Sequence, residues 1–137
     1  MSKKQEEKTW YPNEELILKI HETMLIKYGG WPGFERGMND FQSIITEMKT
    51  TKGIYRKAAI LLRGTVTGRI FKDGNHRTAQ ALTETFLEMN DVPMKIQDSK
   101  EIIRFIKNIL HYNIDEIEAW LKHGKTKGPN ESIQRSP

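Results

Sequence analysis

Apolar residues recur along this chain at intervals of three and four, a spacing that predicts helices almost throughout. Leu16, Ile20, Met24 and Leu25 form one such stripe, so a helix is expected over 13–28. Asn13 is placed to cap it, with Glu14 and Glu15 at the positive end of its dipole. The "GGWPG" run at 29–33 stops it. Further helices are expected over 40–50, over 53–68 with Tyr55, Ala58, Ala59, Leu62 and Val66 on one face, and over 76–90 with Ala79, Leu82, Phe86 and Met89 in a stripe. Pro93 closes the last of these. Two more follow over 99–110 and 114–122, capped by Asp98 and Asn113, and Glu116 gives Asn113 the spacing of a capping box. Only the short "VPMKIQ" run at 92–97 reads as extended. The fold class is therefore all-α, a compact helical bundle with at most a short extended flap.

Length changes this picture little. The 137 residues make one domain, assigned to 13–123, with 1–12 as an N-terminal extension. From Gly124 the composition turns to Lys, Gly, Pro, Asn and Ser, so 124–137 is expected to be a disordered basic tail. The chain has no cysteine, which excludes disulfides and thiolate metal sites and suits a reducing cytoplasm. No apolar run approaches the ~20 residues of a membrane span. The charged start, "MSKKQEEKTW", lacks the apolar stretch of a secretory leader, so a soluble cytoplasmic protein is expected.

The formal charge of +4 invites a nucleic-acid reading, but its excess lies in the two tails, and residues 9–121 are balanced. Within that neutral body, residues 52–77 carry Lys52, Arg56, Lys57, Arg63, Arg69, Lys72 and Arg77 against Asp73 alone. A concentrated basic segment suits a compact polyanion such as a nucleotide better than a duplex, which calls for a continuous stripe.

That segment ends in "GRIFKDGNHRTA", residues 68–79. Asp73-Gly74 is a strong turn signal, and Asn75 is suited to cap a helix beginning at His76. Free amides at such a helix start form an anion site, to which Arg77 adds a guanidinium able to grip phosphate oxygens in pairs. Asp73 could share a magnesium ion with the same phosphates, since Mg²⁺ takes few protein carboxylates. Many proteins carry a D-G turn and a capped helix with no ligand, and the Walker A spacing is absent. Local chemistry alone leaves both readings open.

The wider pattern resembles the Fic/Doc family, whose signature His-x-Phe-x-Asp/Glu-Gly-Asn-Gly/Lys-Arg aligns with Arg69-Ile70-Phe71-Lys72-Asp73-Gly74-Asn75-His76-Arg77. "ILKIHETMLIKYGGWPG", "YRKAAILLRG", "RTAQALTETFLEMN" and "IDEIEAWL" look like successive helices of Doc-type toxins, in the right order over roughly 13–122. The resemblance implies transfer of AMP, or in Doc a phosphoryl group, from ATP or another nucleotide to a Ser, Thr or Tyr hydroxyl of a protein. It implies Mg²⁺ on Asp73, phosphate held by Lys72, Gly74, Asn75, His76 and Arg77, a buried Phe71, and a flap over 30–37 that docks the target as an added strand. The second motif arginine of AMP-transferring members falls at Gln80 and is missing here, as in Doc.

Two departures bear on activity. The catalytic His of the family corresponds to Arg69, and a guanidinium cannot accept a proton at neutral pH. The usual Gly or Lys is His76, which has a suitable pKa for a substitute base but sits at a helix start. His21 is expected to be packed among apolar neighbours, while His111 and His123 lie near helix ends. Trp10, Trp31 and Trp120 read as core or lid residues, and Glu84 and Glu88 as a solvated helix face. The nearest string to the inhibitory helix motif of Fic proteins, Ser43 to Glu47, is followed by Met48, so restraint is expected from an antitoxin partner if at all. Three functions stay open: a Doc-like toxin with altered machinery, a Fic-fold binding protein without turnover, and, least favoured, a helical nucleic-acid binder. No membrane partner is expected, and the oligomeric state is left open.

Overall fold

The computed structural model describes residues 8–126. Six α-helices account for most of them: α1 Glu14–Tyr28, α2 Met38–Lys49, α3 Ile54–Thr67, α4 Asn75–Met89, α5 Ser99–Lys107 and α6 Ile114–His123. A 3₁₀ turn, Ile109–His111, joins α5 to α6. Among the described residues there is no strand, only an isolated antiparallel bridge between Phe34 and Phe71. The all-α expectation is met.

The caps set the boundaries. Asn13 Oδ1 accepts from Leu16 N at 2.9 Å, starting α1 one residue later than the stripe suggests. Asn113 and Glu116 form the complete capping box at α6. By contrast α2 starts at Met38, two residues early, because Gly37 at φ 84° turns the chain directly into the helix. α5 stops at Lys107 rather than running to 110: Asn108 leaves helical geometry, and its Nδ2 donates to Arg104 O at 2.8 Å. Asp91, left-handed at φ 59°, turns the chain after α4 before Pro93 is reached.

α3 is the hub, packed against α2, α4 and α6. Burial extends around it from Lys57 to Leu62, and the Ala58–Ala59 pair lets its neighbours approach closely. Gly64 serves the same end, since a Cβ there would lie 2.7 Å from Ile44 Cγ1. In α1 the deepest positions are Ile17 and His21, while Leu16, Ile20, Met24 and Leu25 are only partly covered, so the stripe is rotated from its expected centre. Residues 10–12, placed in the N-terminal extension by sequence, belong to the packed body: Trp10 N donates to Asn90 Oδ1 at 2.9 Å, and Asn90 Nδ2 returns a bond to Trp10 O at 3.0 Å. Most of the expected disordered tail, 127–137, and residues 1–7 of the extension lie outside the described residues.

Lys57 is fully buried on α3. Its Nζ donates to Met48 O at 2.8 Å and to Thr51 O, closing the carbonyl end of α2 with a cation where the helix dipole favours one. No helix among the described residues is long and apolar enough to cross a membrane.

Candidate functional site

The loop from α3 to α4 is shaped by two left-handed residues, Arg69 at φ 49° and Gly74 at φ 79°. At Gly74 this costs nothing, whereas at Arg69 the Cβ makes it strained. Ile70 and Phe71 between them drop into the core and anchor the loop from below, as expected of Phe71. His21 of α1 lies flat on the Phe71 ring, centroids 3.6 Å apart and planes within 6°. Its Nε2 meets the Asp73 carbonyl at 2.8 Å, and because a carbonyl only accepts, the proton is on Nε2. His21 is therefore buried, as the sequence suggests, but what it packs against is the motif loop.

Asn75 requires a correction. It does not cap a helix starting at His76; α4 begins at Asn75 itself, its N-cap is Gly74, and no side chain caps it. The Asn75 amide instead reaches back, with Oδ1 accepting from Phe71 N at 3.2 Å and Nδ2 donating to Phe71 O at 2.8 Å. Burying Phe71 removes its backbone groups from water, and an amide side chain, carrying both donor and acceptor, satisfies the two together. The first amide of α4 bonded along the helix is that of Thr78, to Gly74 O at 3.0 Å. The preceding amides open at the positive end of the helix dipole, which is the geometry of an anion cradle.

Asp73 is exposed beside that opening. Its Oδ1 accepts from Gly74 N at 3.0 Å and its Oδ2 from Trp31 N at 3.2 Å. The flap approaches this closely only because residue 30 is glycine: at φ 127°, a Cβ there would stand 2.9 Å from Asp73 Oδ2. A carboxylate has about four acceptor positions, so two backbone donors leave room for a cation. Among the described residues no group of three or more His, Cys, Asp or Glu could hold a metal. One carboxylate beside an open anion cradle fits an ion completed by phosphate and water, as Mg²⁺ usually is, and not an all-protein cage.

The flap is tied to the loop by its backbone. Glu35 N and Gly37 N donate to Ile70 O at 3.0 and 3.1 Å, Arg36 N to Arg69 O at 3.1 Å, and Lys72 N to Gly33 O at 3.0 Å. Phe34 stacks on Phe71 at 5.6 Å, and Arg69 Nε pairs with Glu35 Oε2 at 3.1 Å. This edge of the expected docking flap is thus already occupied by the motif loop.

The basic segment is divided by the fold. Arg56 pairs with Asp115 at 2.7 Å and Glu118 at 3.0 Å on α6, Lys57 is buried under α2, and Arg69 is paired with Glu35. The Arg77 guanidinium lies over the Tyr28 ring at 4.2 Å, lining a cleft of about 150 Å³ with Lys27, Tyr28, Gln80 and Ser99. Lys72 is exposed, its stem beside Gly33. The charge concentrated in sequence is thus divided among separate partners for Arg56, Lys57 and Arg69, and the cations next to the cradle along the chain are Lys72 on the loop and Arg77 in the first turn of α4. At His76 desolvation, and after it the Lys107 ammonium, lower the pKa below the ordinary imidazole value, which favours the neutral ring. Nothing in the local sequence reports Lys107, which α5 brings in from 31 residues away.

The remaining candidates sort simply. Trp120 is buried and stacked on Phe105 at 3.8 Å, Trp10 is half-buried, and Trp31, 78% exposed, stands on the flap and not in the core. Glu84 and Glu88 are exposed on α4, as expected of a solvated face. His111 ends the 3₁₀ turn and His123 ends α6.

The arrangement is a helical bundle in which a buried phenylalanine anchors a D-G-N loop at a helix start with no side-chain cap. Residues 11–87 match the Fic/DOC family, and the chain belongs to it. A comparison with curated proteins found no match.

Proposed function

We propose that this Fic/DOC protein binds nucleotide phosphates at the 72–77 loop, in a site built to transfer a phosphoryl or AMP group to a Ser, Thr or Tyr hydroxyl of a cytoplasmic protein. The observation that carries the reading is the uncapped start of α4, flanked by the Asp73 carboxylate and the Arg77 guanidinium. In this reading the Gly74, Asn75 and His76 amides and the Lys72 and Arg77 side chains bind phosphate, and Asp73 takes the magnesium ion that ATP or another nucleotide brings. That ion would offset phosphate charge as the bond to the leaving group breaks. An antitoxin would restrain an active form.

Arg69 occupies the place of the proton acceptor and cannot act as one. Loss of a general base typically costs ~10²- to 10⁴-fold in rate, so turnover is impaired while binding is retained. His76, whose lowered pKa favours the neutral ring, is the substitute base to test. The second reading, a protein that binds nucleotide or a partner helix without turnover, is favoured by the pairing of Arg69 with Glu35 of the flap, which engages the side chain at the place of the family's base.

Arg69→His tests both. Labelled phosphate or AMP should appear on protein in a cell extract with the His variant far more than with the parent, and Asp73→Ala in the same background should abolish it. Equal labelling by the parent would make Arg69 no lesion and direct attention to His76→Ala. Nucleotide binding with no labelling by either would leave the binding protein as the function.

A further inference from the structure

We propose that Tyr28 is a positioning residue for phosphate binding, its ring holding the Arg77 guanidinium at the mouth of the cleft between α1 and α4. The inference rests on the assignment of Arg77 to phosphate, made above. Tyr28 is the last residue of α1, and its ring carries two cations, the Arg77 guanidinium carbon at 4.2 Å from the centroid and the Lys27 ammonium at 5.3 Å. The negative π-face of the ring attracts both cations. The same three side chains line the cleft of about 150 Å³ together with Gln80, Glu84 and Ser99, and Gln80 Nε2 donates to Ser99 Oγ at 3.2 Å.

A free arginine side chain samples many rotamers, and ordering it on binding a phosphate costs affinity. Stacking on Tyr28 meets part of that cost in advance, leaving the N–H edge of the guanidinium to face an anion. The ring has little else to hold. Tyr28 is 48% exposed, and the end of α1 is closed by its own backbone, Gly29 N to Leu25 O at 2.8 Å. Removing the ring should therefore leave the fold intact while loosening the guanidinium.

The experiment measures ATP affinity with magnesium chloride present, by calorimetry, for the full chain and for Tyr28→Phe, Tyr28→Leu, Arg77→Ala and the Tyr28→Leu/Arg77→Ala pair, with a thermal melt of each. Tyr28→Leu should weaken ATP by about two- to five-fold, the range that an exposed cation–π contact supports. Tyr28→Phe should match the parent, since the ring face is retained, and Tyr28→Leu should add nothing once Arg77 is alanine. Melting midpoints should be unchanged across the Tyr28 series. Parent-like affinity in Tyr28→Leu beside a weakened Arg77→Ala overturns the positioning role alone. Weakening by Tyr28→Phe equal to that by Tyr28→Leu also overturns it, because the hydroxyl would then be the active group. An unaffected Arg77→Ala, or a parent that does not bind ATP, overturns the phosphate assignment on which the proposal stands.

Discussion

Asn75→Ala isolates the device that holds the motif loop. The Asn75 amide makes two hydrogen bonds to one residue, accepting from Phe71 N at 3.2 Å and donating to Phe71 O at 2.8 Å, in a partly buried setting. Each such bond contributes about 1 kcal/mol net, so losing both costs about 2 kcal/mol. Alanine is the better helix former and returns about 0.5 kcal/mol, although position 75 opens α4 and the gain there is smaller. A net loss of about 1.5 kcal/mol should lower Tm by roughly 6 °C, taking ~4 °C per kcal/mol for a domain of this size. Circular dichroism melts give the global value, and amide hydrogen exchange gives the local one. The Phe71 N–H should lose its protection in the alanine variant, while Leu61 and Leu62 at the centre of α3 change only as far as global stability does. A Tm within about 1 °C of the parent, with Phe71 N–H still protected, would show that the loop is held by burial of the Phe71 ring and that the amide is dispensable.

Two further outcomes follow from other parts of the molecule. Lys57→Met keeps the aliphatic stem but deprives Met48 O and Thr51 O of the ammonium that closes α2, so urea denaturation should show a loss of about 1–3 kcal/mol; a more stable Met variant would refute the capping role. The His76 imidazole should titrate below its ordinary value by NMR, because desolvation and the Lys107 charge both disfavour the protonated ring. Lys107→Ala should raise the midpoint part of the way and leave the desolvation component in place; a midpoint that does not rise would remove Lys107 from the account.

Most of the fold is determined by the sequence itself, because a helix is encoded locally. Apolar spacing and the side-chain caps Asn13, Asp98 and Asn113 place α1, α5 and α6 within a residue at their starts, and the D-G turn locates the motif loop before any contact is known. The larger misses lie at the start of α2, where Gly37 at positive φ turns the chain into the helix two residues early, and at the end of α5, where Asn108 leaves helical geometry three residues early. The chemistry of the site was decided at longer range. Asn75 looks like a cap in one dimension and becomes a clamp only because burial of Phe71 strands two backbone groups beside it. His21, Trp31 and Tyr28 reach Asp73, Asp73 and Arg77 across 52, 42 and 49 residues, separations over which no periodicity or motif carries information. Charge misled for the same reason. Sequence sums Arg56, Lys57 and Arg69 into one basic segment, whereas packing gives each its own partner, because a cation's field depends on what the fold sets opposite it and not on its neighbours in the chain.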